Sequence, residues 1–219
     1  MSTELAMRLA QNSVIYDVKQ RTKEWFALRA GYPTSSEGKS LLAGQKGFET
    51  YAFKKFSEHN LIMQPETHVS SAMERGIELE PEAREVYEER TLDKIVEVGF
   101  ILNKEMYLGC SPDGIAANTK YGIEIKCFNE TTHQKALLTR KVDDDTYKQV
   151  QICLAVTGLP LWKVLYYNPN FKEGLDLTVI DVVPDVAMIT KIKERAQAIK
   201  ETTKLFKQVQ DDNIKKYAI

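Results

Sequence analysis

Between residues 94 and 127 the chain changes character, and that change limits the folds open to it. Before this stretch, apolar residues recur at helical spacing; within it, they alternate or run together. Tyr121, Ile123, Ile125 and Cys127 occupy every second position, the period of a strand with one face in a core. Lys94 to Leu102 is rich in Ile, Val and Phe, and Tyr107 to Cys110 forms a second short run. Ser111-Pro112-Asp113-Gly114 then has the composition of a turn. The three runs are expected to form an antiparallel meander.

Helical patterns flank this stretch. Residues 3–13 are weakly amphipathic, and Val14-Ile15-Tyr16 reads as a short extended piece. Thr22 to Arg29 predicts a helix that Gly31 and Pro33 break. Thr34-Ser35-Ser36-Glu37 and Ser71-Ala72-Met73-Glu74 both have capping-box spacing. Phe48 to His59 predicts a helix, and Pro81 should kink or divide the helix that follows Ser71. Helices are expected again at about 131–138 and 143–157, the second opening on Asp143-Asp144-Asp145 and closing at Gly158. Leu161 to Tyr167 and Leu175 to Val183 predict strands, and a last helix runs over about 185–210. This order predicts a single α/β (α+β) domain over residues 1–219, a mixed central β-sheet flanked by helices.

Charge narrows the function. Lys and Arg number 30 against 31 Asp and Glu, a net charge of −1, so the chain cannot grip nucleic acid through a basic coat. A local basic groove stays open. Three cysteines (Cys110, Cys127, Cys153) make no disulfide framework and suit a reducing cytosol, and the scattered histidines give no zinc spacing. No basic region leads into an apolar run at the N-terminus, and no stretch approaches ~18 uninterrupted apolar residues. A cytoplasmic protein with no membrane span is expected.

The alternation at residues 121–127 puts Glu124 and Lys126 side by side on the strand face opposite the core. Their plainest role is a weak, exposed ion pair. Eleven residues upstream, Asp113 would be carried near Glu124 by chain reversal. Converging carboxylates repel unless a cation lies between them, and hard oxygen ligands suit Mg²⁺ or Mn²⁺. Such a metal polarises a phosphoryl oxygen and makes hydroxide available near neutral pH, while Lys126 orients water or neutralises developing charge. Glu-x-Lys or Asp-x-Lys alone is a common pattern. Asp17-Val18-Lys19 and Glu37-Gly38-Lys39 also contain it, but neither follows a Pro-Asp turn, and Glu37 sits where a helix-capping role is expected. Glu74, Glu78, Glu80, Glu82 and Glu85 form an acidic run around the helix-weakening Gly76 and Pro81. Most of it should be a solvated face, with Glu78 or Glu80 aimed at the metal.

Pro112-Asp113 with Glu124-Ile125-Lys126 is the literal motif of the PD-(D/E)xK nuclease superfamily. The chain resembles its recombination nucleases of the phage lambda exonuclease (YqaJ-like) type through four blocks in matching order. These are Trp25-Phe26-Ala27-Leu28-Arg29-Ala30-Gly31 with Thr34-Ser35-Ser36-Glu37; Gly76-Ile77-Glu78-Leu79-Glu80; Cys110-Ser111-Pro112-Asp113-Gly114 with Gly122-Ile123-Glu124-Ile125-Lys126; and Gln149-Val150-Gln151. The resemblance implies a PD-(D/E)xK core, with Asp113, Glu124, the Ile125 carbonyl and Glu80 as metal ligands, Lys126 as the catalytic lysine and Gln149 beside it. It also implies that Arg29, Ser36 and Ser111 hold a DNA 5′-phosphate, a role guanidinium and hydroxyl groups suit chemically. Lys46 is the candidate for a further basic residue of that pocket, and Tyr147 lies one position away from a family tyrosine. The implied activity is a Mg²⁺- or Mn²⁺-dependent 5′-to-3′ exonuclease on double-stranded DNA ends, phage- or prophage-encoded. It would work as a homotrimeric ring beside a single-strand annealing protein. A PD-(D/E)xK endonuclease, a catalytically silent DNA-end-binding module and a glycosidase are the alternatives; the last has no role for Lys126.

Overall fold

A computed structural model describes residues 13–62 and 70–217. The helix expected over residues 3–13 lies almost wholly outside them. The elements run β1 (Val14–Tyr16), α1 (Lys23–Arg29), a 3₁₀ turn (Ser35–Glu37), α2 (Gly38–Leu41), α3 (Gln45–Glu58) and α4 (Ser71–Thr91). Then come β2 (Ile95–Val96), β3 (Phe100–Asn103), β4 (Leu108–Cys110), β5 (Gly114–Ala116) and β6 (Gly122–Lys126). The chain continues through α5 (Glu130–Thr139), α6 (Asp144–Thr157), β7 (Trp162–Tyr167), β8 (Leu177–Val182) and α7 (Val186–Tyr217).

Local chemistry explains most boundaries. Thr22, Asn129 and Asp143 accept from the backbone N–H three residues on, which starts α1, α5 and α6. Gly158 closes α6 at φ 68°, a left-handed position glycine fills without strain. The cap of α4 is Ser70, one residue before the expected Ser71. Pro81 does not divide α4, which continues through it for 21 residues. Thr34 makes no side-chain cap to the backbone; its hydroxyl goes to the Glu37 carboxylate instead.

The expected meander is replaced by two sheets. Segment 94–102 is not one strand. β2 joins a five-stranded sheet of order β2-β5-β6-β7-β8, while β3 joins a three-stranded sheet of order β1-β3-β4. Gly99 sits at the changeover. A Cβ there would lie 2.0 Å from the carbonyl oxygen of Val18, so the 16–18 segment crosses at a distance only glycine allows. The strand after Asp113, β5, has three residues, too few to show a period.

β5 and β6 pair antiparallel with Gly114 opposite Ile123, and one further step of that register sets Asp113 opposite Glu124. β6 and β7 run parallel, joined through α5 and α6. Ile123, Ile125 and Cys127 pack with Ala83 and Tyr87 of α4 on one sheet face. Val164, Tyr166 and Trp162 of β7 belong to the core on the other face, together with α6 and α7. The mixed central sheet is thus flanked by helices on both faces.

Candidate active site

Glu124 points from β6 toward α6, opposite to its apolar neighbours. It is only 2% exposed, which removes the reading of β6 as a solvent-exposed strand face. Its Oε1 accepts from Lys126 Nζ at 2.7 Å and from Gln149 Nε2 at 2.6 Å. The Gln149 carbonyl accepts from Lys126 Nζ at 3.1 Å. Asp113 Oδ2 accepts the backbone N–H of Ile125 at 2.7 Å. The structure therefore brings Asp113, Glu124, Lys126 and Gln149 together.

Burial, then the charges of Glu124 and Glu80, push the Asp113 carboxyl well above its usual range. Burial also raises the Glu124 carboxyl, against the opposing pull of Lys126. Burial works against the charge on Lys126, but Glu124 and Asp113 outweigh it and hold the ammonium above its ordinary pKa. These are like charges gathered at one point around one cation.

Of the two helix glutamates, Glu78 is exposed, and Glu80 is the one whose charge reaches Asp113 and Glu124. Glu80 and Asp113 line a cavity of about 400 Å³ together with Asp17, Arg21 and Arg84. Glu80 is held there by Arg21 at 3.0 Å and Arg84 at 3.2 Å. Among the described residues, no three His, Cys, Asp or Glu side chains are assembled to hold a metal ion. The chemistry of the donors nonetheless fits a hard divalent cation. Glu124 Oε2 is buried with no partner, and such an atom is costly unless a cation or donor meets it.

A second cluster lies beside the first on the same segment. Arg29 donates from Nη1 to Ser111 Oγ at 3.1 Å and from Nη2 to Ser36 Oγ at 2.7 Å and Thr34 Oγ1 at 3.0 Å. Its guanidinium carbon lies 3.9 Å over the Trp25 ring, and the Trp25 Nε1 donates to Ser111 Oγ at 2.9 Å. Ser36 is thus a partner of Arg29 rather than a helix cap. Lys46 is exposed in the first turn of α3, and no hydrogen bond or ion pair joins its side chain to this cluster. Tyr147 turns toward Asp185.

Trp25 and Thr34 join the site although neither is legible as an individual site residue in the sequence, and neither is Gln20, which donates to the carbonyls of Val98 and Pro112 at 3.1 and 3.0 Å. Trp25 and Thr34 lie within the segments 25–31 and 34–37 that carry the family resemblance; a loop glutamine leaves no pattern.

The family model for the YqaJ-like viral recombinase domain matches residues 24–160, a span holding both clusters. The chain belongs to this family. No curated protein matches it. Among solved structures, an alkaline exonuclease from Laribacter hongkongensis is 28% identical with a TM-score of 0.79, over 89% of this chain and 99% of that one. The same exonuclease in complex with dAMP gives 28% and 0.77 over the same shares. A phage-related exonuclease from Haemophilus somnus 129PT, 13% identical over 89% of this chain and 97% of that one, shares the fold at a TM-score of 0.57. This YqaJ-like chain has the alkaline exonuclease fold.

Proposed function

We propose that this chain is a recombination nuclease, a metal-dependent exonuclease that digests linear double-stranded DNA from its 5′ ends. Mononucleotides and a 3′ single-stranded overhang are the products. One observation carries the reading: the segment Cys110–Gly114 supplies Ser111 to the arginine cluster and Asp113 to the carboxylate cluster. A terminal phosphate and the next phosphodiester can then be engaged by adjacent groups.

In this reading Arg29, Ser36 and Ser111 hold the 5′-phosphate, with Lys46 adding a point charge. Ser111 Oγ accepts from Trp25 and Arg29; with both lone pairs used, its O–H is left to donate to an anion. Asp113 and Glu124 hold Mg²⁺ or Mn²⁺, with Glu80 and the Ile125 carbonyl as further ligands. Such an ion supplies polarisation of the phosphoryl group and a lowered pKa for water. Glu124 and Gln149 take two of the three N–H donors of Lys126, so the third is available to the attacking water or the phosphate. The dAMP complex of the Laribacter exonuclease supports a mononucleotide product. A single nuclease domain, a homotrimeric ring and an annealing partner complete the reading. No helix of the described residues is long and apolar enough to cross a membrane.

The test is a 5′-phosphorylated linear duplex labelled at either end, in Mg²⁺ and in EDTA. The 5′ label should be released first, as mononucleotide, and only with metal. Earlier release of the 3′ label would reverse the direction, and cleavage in EDTA would refute the metal.

A further inference from the structure

Glu37, which the sequence places at a helix start, does not cap that helix. It lies behind the Arg29 cluster, in a network tied to α3. Its Oε2 accepts from Thr34 Oγ1 at 3.0 Å and from Tyr51 at 3.0 Å, and forms an ion pair with Lys55 Nζ at 2.6 Å. Lys55 is only 3% exposed and also pairs with Glu58 at 2.9 Å. Glu58 in turn accepts the backbone N–H of Gly31 at 2.9 Å.

We propose that Glu37 is a positioning residue for the terminal-phosphate pocket, acting through the Thr34 hydroxyl on Arg29. This rests on the reading of Arg29, Ser36 and Ser111 as that pocket. A hydroxyl has one proton and two lone pairs, and an ionised carboxylate only accepts. Burial works against the charge on Glu37, but Lys55 beside it holds its carboxyl below the usual range. Thr34 must therefore donate toward Glu37, which leaves its oxygen as an acceptor for Arg29 Nη2 at 3.0 Å. A 3.5 Å contact also joins Thr34 Oγ1 to Ser36 Oγ; the shorter, charge-assisted bond to Glu37 takes the proton. The Thr34 backbone is itself fixed, since Thr34 bridges to Gly109 and Pro33 accepts from the Gly109 N–H at 3.0 Å. The polarity chain Lys55→Glu37←Thr34←Arg29 thus sets the guanidinium in register with Ser36 and Ser111. The buried lysine of α3 anchors it from behind.

The test compares binding of blunt duplexes with 5′-phosphate and 5′-hydroxyl ends by fluorescence anisotropy in EDTA. The proteins are the intact wild type and the variants Glu37→Gln, Thr34→Val and Thr34→Ser, with thermal midpoints recorded alongside. The wild type should prefer the phosphorylated end. Thr34→Val should lose about tenfold of that preference, the effect of one charge-assisted hydrogen bond, and Thr34→Ser should keep it. Glu37→Gln should fall between wild type and Thr34→Val, because the amide can still accept but has lost its charge. A purely structural role would weaken both ends equally and leave their ratio unchanged. An unchanged or higher ratio in both Thr34→Val and Glu37→Gln would overturn the inference. A wild type without any preference would instead overturn the phosphate-pocket reading, and the positioning role with it.

Discussion

Gln149 on α6 donates to Glu124 on β6 at 2.6 Å and accepts from Lys126 at 3.1 Å. The amide orientation is dictated by its neighbours, because an ionised carboxylate only accepts and an ammonium only donates. A glutamate there would set a second carboxylate against Glu124. Gln149→Glu and Gln149→Ala should both lower turnover on linear duplex by roughly 10- to 100-fold, as expected when reacting groups lose their alignment. Circular dichroism should stay unchanged. Wild-type turnover in Gln149→Glu would show that this pair does not organise the site.

Asp113, Glu124 and Glu80 repel one another when no cation lies between them. Asp113→Asn keeps an oxygen for the Ile125 N–H while removing one charge. In EDTA at pH 8 it should stabilise the protein by about 1–2 kcal/mol while abolishing cleavage, the expected trade between stability and activity. Urea denaturation reads the first effect. A destabilised Asp113→Asn would mean that the carboxylates do not oppose folding.

Away from the site, Asp176 accepts from both terminal nitrogens of Arg90, at 2.9 and 2.7 Å. The hydrogen bonds from Arg90 hold its carboxyl below the usual range. The unfolded chain therefore takes up this proton at a higher pH than the native one. The stability it contributes is complete above about pH 4, the ordinary carboxylate value, and is lost as pH falls through the lower native value. Asp176→Asn should cost roughly 0.5–1.5 kcal/mol at pH 7 by weakening a part-buried charge-assisted contact that solvent screens on the Arg90 side. The difference from wild type should shrink below about pH 4. A gap in urea midpoint that does not change with pH would contradict this role.

Much of the fold was legible in local chemistry. The alternation of Tyr121, Ile123, Ile125 and Cys127 correctly assigned one face of β6 to the core and the other to Glu124 and Lys126. The helix opening on Asp143 and closing at Gly158 fell where expected, and the one expected from Thr22 starts one residue later, with Thr22 as its cap. The split of 94–102 between two sheets was not legible. It depends on the close approach of Val18 to Gly99, a contact 81 residues apart in sequence. Glu37 was misread as a cap because capping-box spacing is a local signal. The partners that claim it, Tyr51 and Lys55, lie on the next long helix. Glu80 could be separated from Glu78 only by the resemblance; in the structure, exposure and charge separate them.

Lys126, held by Glu124 and Gln149, is proposed to serve metal-dependent hydrolysis at DNA ends. The most direct measurement incubates wild type and Lys126→Ala with linear and closed circular duplex in Mg²⁺ and in EDTA. Loss of linear DNA alone, by wild type alone, in Mg²⁺ alone, is expected, with Lys126→Ala retaining the wild-type circular dichroism spectrum. Cutting of closed circles, or undiminished digestion by Lys126→Ala, would overturn this role.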